Sequence, residues 1–179
     1  MSSYYLAQSL VALRNEVNAR WPRRDKASDG WIGDASHSAR KSSHNPDYAN
    51  GGVVRGLDID VDDNDPNSNL RAEVLKAVIG DSRVWYVISN GIIYSRTHNW
   101  AARRYTGSNP HTKHVHVSLR EVRSAWTNTE GWLAPEKTTW EWNPKVISDL
   151  PLVQQEFQKG AGVLEGELKR SDITDVTLH

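Results

Sequence analysis

Apolar residues Leu6, Leu10, Leu13 and Val17 recur at steps of four, three and four. That spacing lines one face of a helix, which is predicted to end before Pro22. Residues 22–52 are rich in Ser, Asp, Gly, Asn and Lys and show no period. An irregular segment of that length in a compact domain is functional or disordered. From Val53 to Val61 the period becomes two. Val53, Leu57, Ile59 and Val61 share one side with Arg55, while Gly56, Asp58 and Asp60 face the other way. A turn over Asp62–Ser68 leads to a second helix marked by Leu70, Val74, Leu75 and Val78. Val84–Ser89 and Ile92–Ser95 flank Asn90-Gly91, the strongest short signal for a hairpin. Val115, Val117 and Leu119 then alternate with His114, His116 and Ser118, which predicts a strand with one polar face.

Past Arg120 the pattern changes. Trp126, Trp132, Trp140 and Trp142 sit among Thr, Glu, Pro and Asn, a helix is expected near Leu150–Gln158, and the tail is polar. The elements add up to an α+β fold, a small antiparallel sheet flanked by helices. The expected division is a domain over 1–120 and a Trp-rich C-terminal extension over 121–179. With eight tryptophans against one phenylalanine, tryptophan is expected to fill the core.

The 179 residues are enough for one domain and a real core. Lys plus Arg and Asp plus Glu are each 22, so the net charge is zero. Phosphate-binding proteins usually carry a basic excess, so no nucleic-acid partner is expected. The absence of cysteine excludes thiolate zinc sites, iron–sulfur clusters, disulfides and thiol nucleophiles, and leaves the redox compartment open. Met1 to Tyr5 lacks a basic n-region, and Gln8 and Ser9 interrupt the apolar run after it, so no export signal is read. No apolar stretch reaches the roughly 20 residues of a membrane helix, so a soluble chain made in the cytoplasm is expected.

Four of the seven histidines, His98, His111, His114 and His116, fall in one short stretch. His114 and His116 share a strand face, Asp58 lies on the polar face of another strand, and His44 lies in the loop leading into it. If the two strands are neighbours, His44, Asp58 and His116 can converge on one cation. Two imidazoles, a carboxylate and an open fourth position suit a catalytic zinc. Zinc lowers the pKa of bound water from about 15.7 to about 7, roughly 12 kcal/mol of help towards hydroxide. His114 and His111 stand where protons move or an oxyanion needs support. Each feature also has a plainer reading. A His-x-His strand is often a solvated face, His111 follows Pro110 in a turn, His37 and His98 are more often structural, and Asp60 can be a ligand, a support or an exposed acid.

The run Ser43-His44, Gly56-Leu57-Asp58 and His111-Thr112-Lys113-His114-Val115-His116 resembles the zinc D-Ala-D-Ala carboxypeptidases and L-alanyl-D-glutamate endopeptidases. These share a fold with the Hedgehog signalling domain and include phage endolysins. The resemblance covers about residues 5–120 and looks closest to the actinobacterial and phage branch, through Ile32-Gly33-Asp34 and the histidines His37 and His44. It implies zinc held by His44, Asp58 and His116, with His114 as the catalytic or oxyanion-stabilising imidazole. Arg40 resembles a basic position that holds a substrate carboxylate. The implied function is hydrolysis of the peptide part of bacterial peptidoglycan by a monomer, acting on the wall after release or carried on a virion. Three departures stand out. Asp58 follows His44 by fourteen residues where many relatives have seven, which an insertion around Tyr48–Val54 explains. Gly56 replaces the usual alanine. Lys113 stands where relatives often carry an acidic general base, leaving His114, His111 or Asp60 for that task. Competing readings are a non-catalytic zinc-containing wall-binding module, for which Lys113 is the best support; a non-haem iron oxygenase, disfavoured by the fourteen-residue gap; and a histidine-dependent nuclease, disfavoured by the neutral charge.

Overall fold

The structure, a computed structural model, describes residues 3–34, 41–61, 65 and 68–134. The chain divides into two compact units, Met1–Pro135 and Glu136–His179. The described residues all belong to the first. Arg40, His37, Trp140, Trp142 and the helix expected near 150–158 lie outside the described residues.

The architecture is α+β. Strands β1 (Tyr5–Leu6) and β2 (Val53–Val54) form a small parallel pair. Strands β3 (Gly56–Asp60), β4 (Val84–Ser89), β5 (Ile92–Ser95), β6 (Arg103–Arg104) and β7 (His114–Leu119) form an antiparallel sheet in the order β3-β7-β4-β5-β6. The helices are α1 (Gln8–Arg20), α2 (Leu70–Val78) and α3 (Arg123–Thr127). Among the described residues no helix is long and apolar enough to cross a membrane.

Burial follows the periodicity. Helix α1 buries Leu10, Leu13 and Val17, and α2 buries Leu70, Val74 and Val78. They meet the apolar sheet face built from Leu57, Ile59, Val87, Val115 and Val117. The β4–β5 turn places Asn90 at φ 49° and Gly91 at φ 74°. A two-residue turn matching the twist of the strands needs both central residues left-handed, which Asn and Gly tolerate best.

Two features differ from the sequence pattern. The single strand expected over Val53–Val61 is broken at Arg55. Its N–H donates to the Ser43 carbonyl at 3.0 Å, and its carbonyl accepts from Leu119 N–H at 2.9 Å. Val53 and Val54 are both fully buried, so this stretch needs cover on both faces and pairs with β1 instead. The second feature is residues 121–134, which belong to the same core. Trp126 and Trp132 join its apolar cluster, Trp132 Nε1 donates to the Ser9 carbonyl at 2.8 Å, and the Arg83 guanidinium lies 3.3 Å from the centre of the Trp132 ring. The compact unit therefore continues past the boundary expected at 120.

The buried Ser9 hydroxyl donates to the Ala125 carbonyl at 2.7 Å and ties α1 to α3. Ser9→Ala leaves that carbonyl without its donor. A loss of about 1–2 kcal/mol is expected. Urea denaturation monitored by tryptophan fluorescence reads it, and an unchanged midpoint would show that the tie contributes nothing.

Candidate metal centre

The polar face of the sheet carries the site. In the β3–β7 ladder Asp58 stands directly opposite His116, and Asp60 opposite His114. Directly opposed residues point to the same face with Cβ atoms about 4.5–5.5 Å apart. Two strands thus bring a carboxylate and two imidazoles together by register alone.

His44 arrives from a loop held against the start of β3. The Ser43 carbonyl accepts from Arg55 N–H, and the His44 carbonyl accepts from Gly33 N–H at 3.0 Å. Gly56 makes the approach possible. A Cβ there would lie 2.7 Å from Ser43 Oγ, 3.0 Å from the Ser43 carbonyl carbon and 3.1 Å from His44 N. Of the thirteen residues between His44 and Asp58, seven are used by a 3-10 turn at Tyr48–Asn50, left-handed Gly51 and Gly52, and β2.

The donor atoms are close. His116 Nδ1 lies 2.8 Å from Asp58 Oδ1 and 3.1 Å from His44 Nε2, and His44 Nε2 lies 3.3 Å from Asp58 Oδ2. The three coordinating atoms fall within 4.8 Å of one another, with both histidines buried and Asp58 partly so. This is a donor set able to hold a metal ion. Imidazole and carboxylate donors are of the kind that bind divalent metals such as zinc.

Without a metal the cluster is a strongly coupled acid–base group. Burial pushes the Asp58 carboxyl up, but the hydrogen bonds and charges of His116 and His44 outweigh it and hold it well below the usual carboxylate range. His44 is pulled down by burial, yet the Asp58 hydrogen bond and charge, with a backbone bond at Trp31, carry it above its ordinary value. For fully buried His116 burial wins over Asp58 and lowers the pKa. Wherever His44 is protonated, a metal must displace that proton. Because that pKa is raised above 6.5, affinity is expected to begin falling before pH drops to 6.5, by about tenfold per unit below the His44 pKa. Competition with a coloured chelator between pH 5.5 and 8 measures this, and a flat profile would contradict it.

Two further imidazoles border the cluster. His114 Nε2 is buried with no hydrogen bond among the described residues and lies 3.7 Å from Asp58 Oδ1. The His111 ring packs 4.9 Å from that of His114 and 5.4 Å from that of His116. Its Nδ1 is also buried, with no hydrogen bond among the described residues. Burial, then the charges of His116 and His114, lowers its pKa to about 4, so it is neutral at pH 7. His111 has φ 55°, and its carbonyl accepts from Asn90 N–H at 2.9 Å, so the β4–β5 turn pins its loop.

The other candidates sit elsewhere. Asp60 Oδ2 accepts from Ser28 N–H at 2.7 Å, and Asp60 N–H donates to Asp29 Oδ1. His98 Nδ1 meets the hydroxyls of Ser95 and Thr97. Lys113 is exposed. Three residues to which the sequence assigned no role also border the cluster. Tyr86 stacks on His116 at 5.5 Å, Tyr105 meets His111 edge-on at 5.4 Å, and Ser43 Oγ lies 3.4 Å from His116 Nε2. Tyr86 stands two residues before Ile88, which pairs with His116, a register that the sequence alone does not give. Tyr105 lies in an irregular stretch with no such signal.

Compared with known protein families, curated proteins and solved structures, the chain has no match.

Proposed function

We propose that this chain is a zinc-dependent peptidase that hydrolyses the peptide part of bacterial peptidoglycan. The observation that carries the reading is the convergence of His44, Asp58 and His116, from a loop and two paired strands, beside two more half-buried imidazoles. The resemblance of these segments to the zinc D-Ala-D-Ala carboxypeptidases and L-alanyl-D-glutamate endopeptidases supplies the substrate class.

Zinc in this position would supply a Lewis acid and an activated water. His44, Asp58 and His116 would hold it. His114 Nε2, with no hydrogen bond among the described residues, would donate to the carbonyl oxygen of the scissile bond as negative charge builds there. His111 is neutral at pH 7 and takes the proton that attack releases, then hands it to the leaving amine. That assignment replaces the acidic base absent at Lys113.

A second reading is a zinc-containing module that binds the wall without cutting it, favoured by lysine at position 113. Digestion of purified peptidoglycan with the zinc-loaded protein separates the two. Mass spectrometry of the soluble products should show paired new amino and carboxyl ends within stem peptides. Wall binding with every stem peptide intact would establish the module instead.

A further inference from the structure

Next to the metal centre the polar face opens into a cleft of about 520 Å³, lined by Lys41, Ser43, Trp85, Tyr86, Ser118 and Arg120 among others. That volume suits a short ligand segment. Tyr86 and Ser118 are cross-strand partners, while Tyr86 and Ser43 both touch His116. The cleft therefore begins where the ligand set ends.

Trp85 should not be there by simple alternation, because neighbours on a strand face opposite ways. Between Val84 and Tyr86 the register with β7 slips. Val84 stands opposite Leu119, Tyr86 opposite Ser118, and Trp85 is the extra residue. A bulge of this kind re-aims a side chain. Trp85 and Tyr86 consequently line the same cleft, and Trp85 is 42 % exposed while Val84 and Val87 are fully buried. An exposed tryptophan in a concave, charged setting is informative in a way that a scattered surface leucine is not.

The charges around it are unbalanced. Arg55 is committed to Asp47 at 2.6 Å and Glu121 at 3.1 Å. Lys41 is 92 % exposed and only loosely paired with Glu121 at 3.9 Å, a contact with little hold. Arg120 donates Nη1 to the Ser82 carbonyl and has no carboxylate partner among the described residues. A chain with zero net charge thus presents two weakly compensated cations beside an aromatic wall.

We infer that this cleft is the subsite for a carboxylate-bearing segment of the substrate peptide. Lys41 and Arg120 take the carboxylate, and the Trp85 ring covers the aliphatic stem beside it. The inference rests on the peptidase reading of the adjacent centre for its substrate class, but it concerns binding and not cleavage.

The test uses the full chain depleted of metal, so that binding is read without turnover. Calorimetry compares two synthetic peptidoglycan stem peptides, identical except that one has free carboxyls and the other is fully amidated. The free-acid peptide should bind about tenfold tighter or better, as charge-assisted hydrogen bonds require. The double variant Lys41→Gln/Arg120→Gln should erase that preference, and Trp85→Ala should weaken both peptides alike, with circular dichroism unchanged. Equal binding of the two peptides, no measurable binding of either, or a double variant that keeps the preference overturns the subsite. Zinc-dependent cleavage without carboxylate preference would leave the peptidase reading standing alone. Carboxylate-selective binding with no zinc-dependent cleavage would do the reverse.

Discussion

His116→Ala is expected to abolish both metal binding and peptide hydrolysis. The ring is 4 % exposed, and its Nδ1 lies within 3.1 Å of both other ligand atoms. Removing it deletes one of three protein donors. It also strips Asp58 of the hydrogen bond that does most to hold its carboxyl ionised against burial. Losing a partner outside the ligand set typically costs 10–100-fold in metal affinity, so loss of a ligand should exceed about 100-fold. Hydrolysis should fall to background. His116 sits mid-strand in β7 between β3 and β4, so retention of the fold must be shown alongside, by circular dichroism and the thermal midpoint. A folded His116→Ala protein that still binds zinc stoichiometrically, or still digests the wall, would refute the ligand assignment.

Gly56→Ala should have the next largest effect, through position alone. Glycine inside a strand ordinarily weakens it by about 0.5–1 kcal/mol, so alanine at such a site would be expected to help. Here the added methyl meets Ser43 and the backbone at His44 at 2.7–3.1 Å. The Ser43 hydroxyl can rotate away, but the loop backbone can yield only by lifting His44 from the cluster. Zinc affinity should therefore drop about 10–100-fold, with overpacking costing roughly 1–3 kcal/mol of stability. Calorimetric zinc titration and urea denaturation read the two separately. Wild-type zinc affinity in this variant would mean that the loop is not held by that close approach. Glycine at position 56 thus has a local physical reason, a ligand loop packed against the strand.

Local pattern carried much of the fold. The Asn90-Gly91 turn, the alternation of β7 and the apolar stripes of α1 and α2 each depend on neighbours in sequence, and each is present. The gathering of His44, Asp58 and His116 was readable as a possibility, because alternation placed Asp58 and the histidines on polar faces. What alternation cannot supply is which strands pair. The Asp58–His116 register is a property of the ladder. The features missed share a cause of that kind. The break at Arg55 follows from a pairing with β1 some fifty residues away in sequence. The bulge at Trp85 is visible only against β7. Helix α3 is short, and Trp126 is anchored by donating to the Arg120 carbonyl at 2.9 Å. Tyr105 reaches His111 from a loop without period.

Zero cysteine and zero net charge now have a place in the same picture. A centre built from imidazole and carboxylate needs no reducing surroundings. Affinity for an acidic substrate needs no bulk charge if Lys41 and Arg120 supply it locally.

The most direct measurement is a zinc titration of the metal-depleted protein against purified peptidoglycan, with liberated amines counted as the readout. Hydrolysis should be absent without metal, rise with added zinc and level off near one equivalent per chain. Activity that is unchanged by zinc, or no liberated amine at full zinc occupancy, would contradict a zinc peptidase built on His44, Asp58 and His116.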